Sequence, residues 1–149
     1  MVSTKWFTGE DDLTDAFNIR RRVFTKEQGV PREADVDGSD AGCMHLVVYE
    51  NDVPVGTGRI MVQEQYLIGR IAVLPEHRKS GYGDLIVRML VRKCFDMGAS
   101  LVNVHAQSPV VGFYEKLGFV STGEEYEAAG MTHVKMHKLE DVGGKCATE

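Results

Sequence analysis

Apolar positions recur along the chain in two rhythms, and their alternation predicts the order of elements. Ser3–Thr8 reads as a short first strand. Leu13, Phe17, Arg20/Arg21 and Phe24 then fall near helical spacing, with Asp11 and Asp12 as N-terminal caps and Gly29-Val30-Pro31 as the stop. After the polar stretch Arg32–Gly42, His45–Tyr49 reads as a strand that turns at Asn51-Asp52 into Val53–Val62. Leu67–Leu74 is a further strand, apolar on both faces and ended by Pro75. From Gly83 onward, Leu85/Ile86, Met89/Leu90, Cys94 and Met97 form an apolar helical stripe closed by Gly98. Leu101–His105 is the next strand. Ser108-Pro109 then reads as an N-cap with proline at the first helical position, in a helix ending at Leu117-Gly118. Phe119–Glu125 and His133–Leu139 complete the series as strands.

Strand, helix, three strands, helix, strand, helix, two strands is an α+β order, and hairpins followed by crossovers imply a central mixed sheet flanked by helices. With no repeat or linker, a single domain is expected over residues 1–140, with 141–149 as a flexible tail.

Hydrophobic residues make up 43% of the 149 and charged residues 26%, which places the chain among folded soluble proteins rather than disordered ones. The formal charge of −5 argues against a nucleic-acid partner, whose phosphates call for a basic surplus. Arg20-Arg21-Arg22 and Arg88–Lys93 are locally basic but lie in helical patterns and read as solvated faces. Cys43, Cys94 and Cys146 form no CxxC pair and leave an odd count, which fits reduced thiols. Cys94 falls on the apolar stripe and is expected in the core rather than as a nucleophile. Met1–Glu10 holds no apolar run of signal-peptide length and no segment reaches the ~20 apolar residues of a membrane span, so no membrane partner is expected and the cytoplasm is the expected address.

Glu33–Asp40 is acidic, but counted from Asp35 an EF-hand would need glycine at its sixth position and glutamate at its twelfth, where Leu46 stands instead. A solvated loop is expected there, with an acidic rim for a cationic amine as the alternative. His133 and His137 have a helical zinc spacing but sit in a strand pattern, which would hold them over ~13 Å apart; no metal site is expected.

The chemistry concentrates at Ile71–Gly83, where a buried strand runs into a helix. Gly81 and Gly83 let backbone amides converge, the helix start adds free N–H groups and the positive end of its dipole, and Arg78 adds a cationic fork. The loop can therefore hold a pyrophosphate. It is neither a Walker A sequence nor a GxGxxG with a small third residue, since Ile86 occupies that place.

The remaining pattern, R-x-x-G-x-G after the strand Ile68–Val73, resembles the pyrophosphate loop of the GNAT superfamily of N-acetyltransferases. Phe113-Tyr114-Glu115-Lys116-Leu117-Gly118-Phe119 resembles that superfamily's second phrase, at the expected place after the following strand. Arg21–Pro31, with Glu33, Asp35, Asp37, His45 and Gly58-Arg59-Ile60, is similar to the ElaA-like bacterial branch.

The resemblance implies a GNAT-like acyl-CoA N-acyltransferase fold and transfer of an acetyl group from acetyl-CoA to a primary amine, by direct attack in a ternary complex. A non-catalytic acyl-CoA-binding or sensor protein of the same fold is the alternative. It implies that backbone amides of Ile71, Ala72 and Val73 hold the pantetheine arm and that Arg78, Lys79, Ser80, Gly81, Tyr82 and Gly83 wrap the pyrophosphate. Gln107 stands where many members carry asparagine near the pantetheine or acceptor. Tyr114 matches the tyrosine that donates a proton to the departing thiolate. Glu27, His105, Glu124 and His133 are candidates for the base, with His105 favoured because it ends the strand beside the cofactor cleft. Arg22, Glu27, Gln28, Arg59 and Arg70 are expected at the acceptor pocket. The acceptor, a small molecule or a peptide, is left open. The superfamily often forms homodimers, though no sequence feature here identifies an interface.

Overall fold

The computed structural model describes residues 1–140; the expected tail, with Cys146, lies outside the described residues. Seven strands form one sheet: β1 (Val2–Thr8), β2 (Cys43–Glu50), β3 (Val53–Val62), β4 (Tyr66–Val73), β5 (Leu101–Gln107), β6 (Val120–Ala128) and β7 (Met131–Leu139). Their order is β1-β2-β3-β4-β5-β7-β6. Every neighbouring pair is antiparallel except β4 and β5, which the crossover through a helix makes parallel. Four α-helices accompany the sheet: α1 (Thr14–Arg20), α2 (Arg32–Asp35), α3 (Tyr82–Asp96) and α4 (Val111–Lys116).

Side chains of a strand alternate between faces, so β2 feeds two cores. Leu46 and Val48 pack with Ile60, Ile68, Val102 and Val104 under the α3 residues Ile86 and Leu90. Val47 and Tyr49 face the other way, against Ala16 and Ile19 of α1 and Val23 beyond it. α3 lies close upon β3 because Gly58 has no side chain: a Cβ there would stand 2.8 Å from both Ile86 and Leu90. That approach fixes where the start of α3 meets the end of β4. Cys94 is buried beneath it, and burial pushes its thiol up to about 12, as suits a core residue and not a nucleophile.

Two places depart from the sequence reading. The first helix runs only to Arg20, then widens into a π-helical segment over Arg21–Glu27, with Gln28 N–H bonding back to the Val23 carbonyl at 3.1 Å. Its N-terminus has Leu13 at the cap position; Asp12 instead accepts from the amide and hydroxyl of Thr14, at 3.0 and 2.6 Å.

The acidic stretch, expected as a solvated loop, folds inward. α2 and a 3-10 turn at Ser39–Gly42 carry Asp35 and Asp40 into the interior, where both meet Arg20. Arg20 is 1% exposed, not part of a solvated basic face. Its Nε reaches both Asp35 carboxylate oxygens at 3.2 Å, its Nη1 reaches Asp40 Oδ1 at 2.8 Å, and its Nη2 reaches the Asp35 carbonyl at 2.8 Å. A buried charge needs such partners, since desolvation alone would expel it.

Among the described residues no helix is long and apolar enough to cross a membrane.

Candidate active site

β4 and β5 pair only from Tyr66↔Val102 to Ile68↔Val104, and then part. The cause lies on the other side of β4. Between Thr57↔Ala72 and Arg59↔Gly69, β3 has one residue and β4 two, a bulge at which Arg70 takes the left-handed conformation, φ +50. The bend turns the end of β4 away from β5 and leaves a wedge whose walls are open backbone. Arg78 Nε donates to the Val73 carbonyl in that wedge, at 3.0 Å. A cleft of about 880 Å³ occupies the opening, lined by Ile71, Ala72 and Val73 on one side and by His105, Gln107 and Tyr114 on the other.

The start of α3 closes one end. Gly81 sits before the helix at φ +83, no side chain caps that terminus, and the first α-helical bond runs from Leu85 N–H to the Gly81 carbonyl at 3.0 Å. The N–H groups of Tyr82, Gly83 and Asp84 therefore remain free of the helix. A Cβ at Gly83 would meet only Phe113, at an ordinary 3.6 Å, so packing within the chain leaves room for an alanine there. Asp84, a carboxylate in the first turn of α3, forms an ion pair with Arg88 one turn on.

The other loop residues divide. Lys79, at φ +68, lines the cleft, whereas Ser80 is exposed and is not among the lining residues. Tyr82 is buried, and its hydroxyl donates to Glu50. The Arg78 fork is occupied, with Nη1 and Nη2 each 2.6 Å from a carboxylate oxygen of Glu27. It ties the loop to the π segment, and the N–H groups expected to meet phosphate are held by Glu27 instead. The Arg78 hydrogen bonds also hold the Glu27 carboxyl below the usual range, which makes it a weaker base.

Arg22 corrects the acceptor-pocket expectation in the same way, since it pairs with Glu76 at 2.8 Å on the exposed surface, outside the cleft lining. Glu124 is exposed and pairs with Lys135 at 3.2 Å. Gln28 does line the cleft and accepts from Gln107 Nε2 at 3.2 Å, so two residues 79 apart in sequence bridge its walls. Arg59 and Arg70 line it as well, while also pairing with Asp40 and Asp35.

Tyr114 is 6% exposed, wedged edge-on between Phe113 and Phe119, and burial raises its pKa so that the phenol stays protonated. Among the described residues its hydroxyl has no hydrogen-bond partner, yet it is not among the sealed orphan atoms, so it reaches the cleft.

His105 Nδ1 lies 2.9 Å from the Tyr126 hydroxyl, and Tyr126 in turn stacks on His133 with ring centres 5.1 Å apart. All three line the cleft. Burial, then the charges of Lys135 and His133, lower the His105 pKa and favour its neutral form. Sequence reading missed Tyr126, because the polar run Glu124-Glu125-Tyr126-Glu127 looked like the end of a strand. No alternation marks it, since Thr122 and Glu124 are in step with it; its place is set by the pairing of β6 with β7, which puts Tyr126 directly opposite His133.

Comparison with known proteins matches this architecture. The family model for the acetyltransferase (GNAT) domain covers residues 11–140. The chain is 40% identical over 131 residues to a Bacillus subtilis (strain 168) protein named the uncharacterized N-acetyltransferase YjcF, covering 87% of this chain and 94% of that one. It is 30% identical over 125 residues to Escherichia coli (strain K12) protein ElaA, covering 79% and 81%. The crystal structure of Escherichia coli ElaA superposes with a TM-score of 0.83, at 26% identity, over 93% of this chain and 99% of that one. A PaiA N-acetyltransferase of Thermoplasma acidophilum, solved in complex with coenzyme A, shares the fold at a TM-score of 0.69 and 14% identity, over 93% and 99% of the chains. By sequence and by fold, the chain belongs to the GNAT family of acetyltransferases.

Proposed function

We propose that the protein is an acetyl-CoA-dependent N-acetyltransferase that acts on a primary amine in a ternary complex. One observation carries this: the wedge between β4 and β5 runs from the uncapped start of α3 to a free Tyr114 hydroxyl and a neutral His105.

The residues present fit the donor. The amides of Tyr82, Gly83 and Asp84, with Lys79, would hold the pyrophosphate, and the open backbone of Ile71–Val73 would hold the pantetheine arm. When bound, acetyl-CoA supplies an acetyl group as a thioester. A backbone N–H of the same β4 stretch would stabilise charge on the carbonyl oxygen. His105 takes a proton from the amine nitrogen at Nε2, its Nδ1 being held by Tyr126. As the C–N bond forms and the C–S bond breaks, Tyr114 donates a hydrogen bond to the departing sulfur, which then takes its proton from solvent. The products are the N-acetyl amine and free coenzyme A.

The test pairs two measurements. Coenzyme A should raise the melting temperature where ATP and NAD do not, and thiol release from acetyl-CoA should depend on an added amine. Stabilisation by ATP or NAD alone would replace the reading, and tight coenzyme A binding without turnover on a broad panel would favour the sensor alternative.

Two further outcomes follow from the geometry. Gly81→Val forces a β-branched residue into a left-handed conformation that costs an L-residue ~1–2 kcal/mol. It should melt only slightly lower but lose most of the stabilisation by coenzyme A; full retention of that shift would show that the loop amides do not bind it.

The second concerns pH. A base works when unprotonated, and the folded pKa of His105 lies below its ordinary ~6.5. Activity is therefore full at neutral pH and lost as pH falls through that lowered value. kcat/KM should show an acid limb below about 6.5 that disappears in His105→Gln, along with about 10²-fold of the rate. A limb centred above 7, or one unchanged in the variant, would assign the base elsewhere.

A further inference from the structure

The acceptor half of the cleft is built round an ionic cluster. Arg20, Arg59 and Arg70 surround the buried carboxylates of Asp35 and Asp40, and Asp37, half exposed and 3.9 Å from Arg70, is a third counter-charge. The polar bonds within it are distributed unevenly. Arg20 spends its donors on the two aspartates and is sealed. Arg59 is buried, with 8% side-chain exposure, and only its Nη1 is used, on Ser39 Oγ at 3.0 Å and Asp40 Oδ1 at 2.8 Å. Among the described residues its Nε and Nη2 have no partner, and they are not sealed from the cleft that the residue lines. Arg70 bonds through Nε and Nη2 to Asp35 and to the Ala34 carbonyl, which leaves Nη1 free in the same way.

The two arginines are held side by side. Arg59 pairs across the sheet with Gly69, the bulge places Arg70 next in line, and both line the cleft. Among the described residues that line the cleft no carboxylate is left over for a cation: Asp35 is shared by Arg20 and Arg70, and Asp84 belongs to Arg88. Of the acidic stretch Glu33–Asp40, Asp35 and Asp40 turn inward as counter-charge while Glu33 and Asp37 stay exposed, and unspent planar N–H donors line the cleft.

We infer that the acceptor is a small amine carrying a carboxylate, held by the free guanidinium N–H groups of Arg59 and Arg70 while its amino group is presented to the thioester. This rests on the acetyltransfer reading for the reaction, but not for the anion site. The free Nε–Nη2 edge of Arg59 with the free Nη1 of Arg70 suits a planar two-oxygen anion. A polyamine or aminoglycoside would set ammonium groups against unspent guanidinium N–H donors.

The test uses matched pairs of amines: phenylalanine with phenethylamine, methionine with 3-(methylthio)propylamine, and glutamate with 4-aminobutyrate, plus spermidine as the polycation. In wild-type protein at saturating acetyl-CoA, phenylalanine or methionine should exceed its decarboxylated partner in kcat/KM by about ten-fold or more. Glutamate against 4-aminobutyrate shows whether the α-carboxylate is the one recognised. Arg70→Gln should weaken the carboxylate-bearing amines by about ten- to a hundred-fold and bring each ratio towards one. Coenzyme A binding, read by calorimetry, should not change. Calorimetric titration of the same carboxylates into the coenzyme A complex gives a readout without turnover, and binding should be lost in Arg70→Gln. Preference for the decarboxylated amines or spermidine overturns the inference, as does absence of carboxylate binding or a ratio that survives in Arg70→Gln. If carboxylates bind but nothing is acetylated, the anion site stands and the enzymatic reading falls.

Discussion

Arg20→Met is expected to destabilise the fold by about 3–5 kcal/mol, because it leaves Asp35 and Asp40 in the interior without the cation that both face. Against the ~5–15 kcal/mol that holds a domain together, that is a large fraction. Burial alone would push the Asp40 carboxyl up; the hydrogen bonds and charges of Arg20 and Arg59 more than reverse this and hold it below its ordinary value. Without Arg20 only Arg59 opposes the desolvation at Asp40, so its folded-state pKa rises relative to wild type. The stability that the lowered Asp40 pKa contributes at neutral pH is then reduced, so the variant is penalised there. The penalty shrinks as pH falls towards ~4, where the unfolded carboxylates protonate as well. Urea unfolding of wild type and variant between pH 7 and 4.5 measures both effects. A loss under about 1 kcal/mol, or a gap that widens on acidification, would show that Arg20 is not the counter-ion that the interior needs.

This cluster also marks where sequence reading stops. The strand and helix order was legible because each element buries a face, and burial writes a period into the chain. Val53–Val62 has the predicted bounds, and the Asn51-Asp52 turn has both residues at positive φ, as a tight hairpin requires. The proposed donor end was legible for a related reason. Binding a pyrophosphate by backbone would restrict a short contiguous segment to glycine, here at φ +83, and to a helix start. The proposed acceptor end draws on α1, α2, β3, β4 and β6, and nothing local connects Arg20 to an aspartate 15 or 20 residues later.

One clue was nevertheless present. Arg20 stands on the stripe of Leu13, Ala16 and Phe17, with its guanidinium 5.1 Å from the Phe17 ring, so the face it shares was an apolar one. The bulge at Arg70 had no clue at all: a left-handed arginine within a strand is set by the pairing of β3 with β4, not by its own preference. The π segment behaves likewise. Its wide turn lets Gln28 reach Gln107 while Glu27 holds Arg78, and a helical period cannot reveal an added residue.

Tyr114→Phe should lower kcat by about 10²-fold or more while leaving folding and coenzyme A affinity close to wild type. The hydroxyl makes no hydrogen bond within the described protein, so its removal orphans nothing, and the ring keeps its edge contacts with Phe113 and Phe119. The role is worth separating from full proton transfer. In water a phenol near pKa ~10 would not surrender its proton to a thiolate near ~8.5, and burial raises Tyr114 further. The same dry surroundings disfavour thiolate charge, so a hydrogen bond donated as that charge develops is worth more here than in water. Two consequences follow. The wild-type rate should show no basic limb near 10 from Tyr114, since the phenol keeps its proton beyond that point. An acetyl thioester of a more acidic thiol should narrow the gap between variant and wild type, because less charge then needs help. If kcat stays within about three-fold of wild type with acetyl-CoA, Tyr114 is a packing residue and the sulfur draws its stabilisation from elsewhere in the wedge.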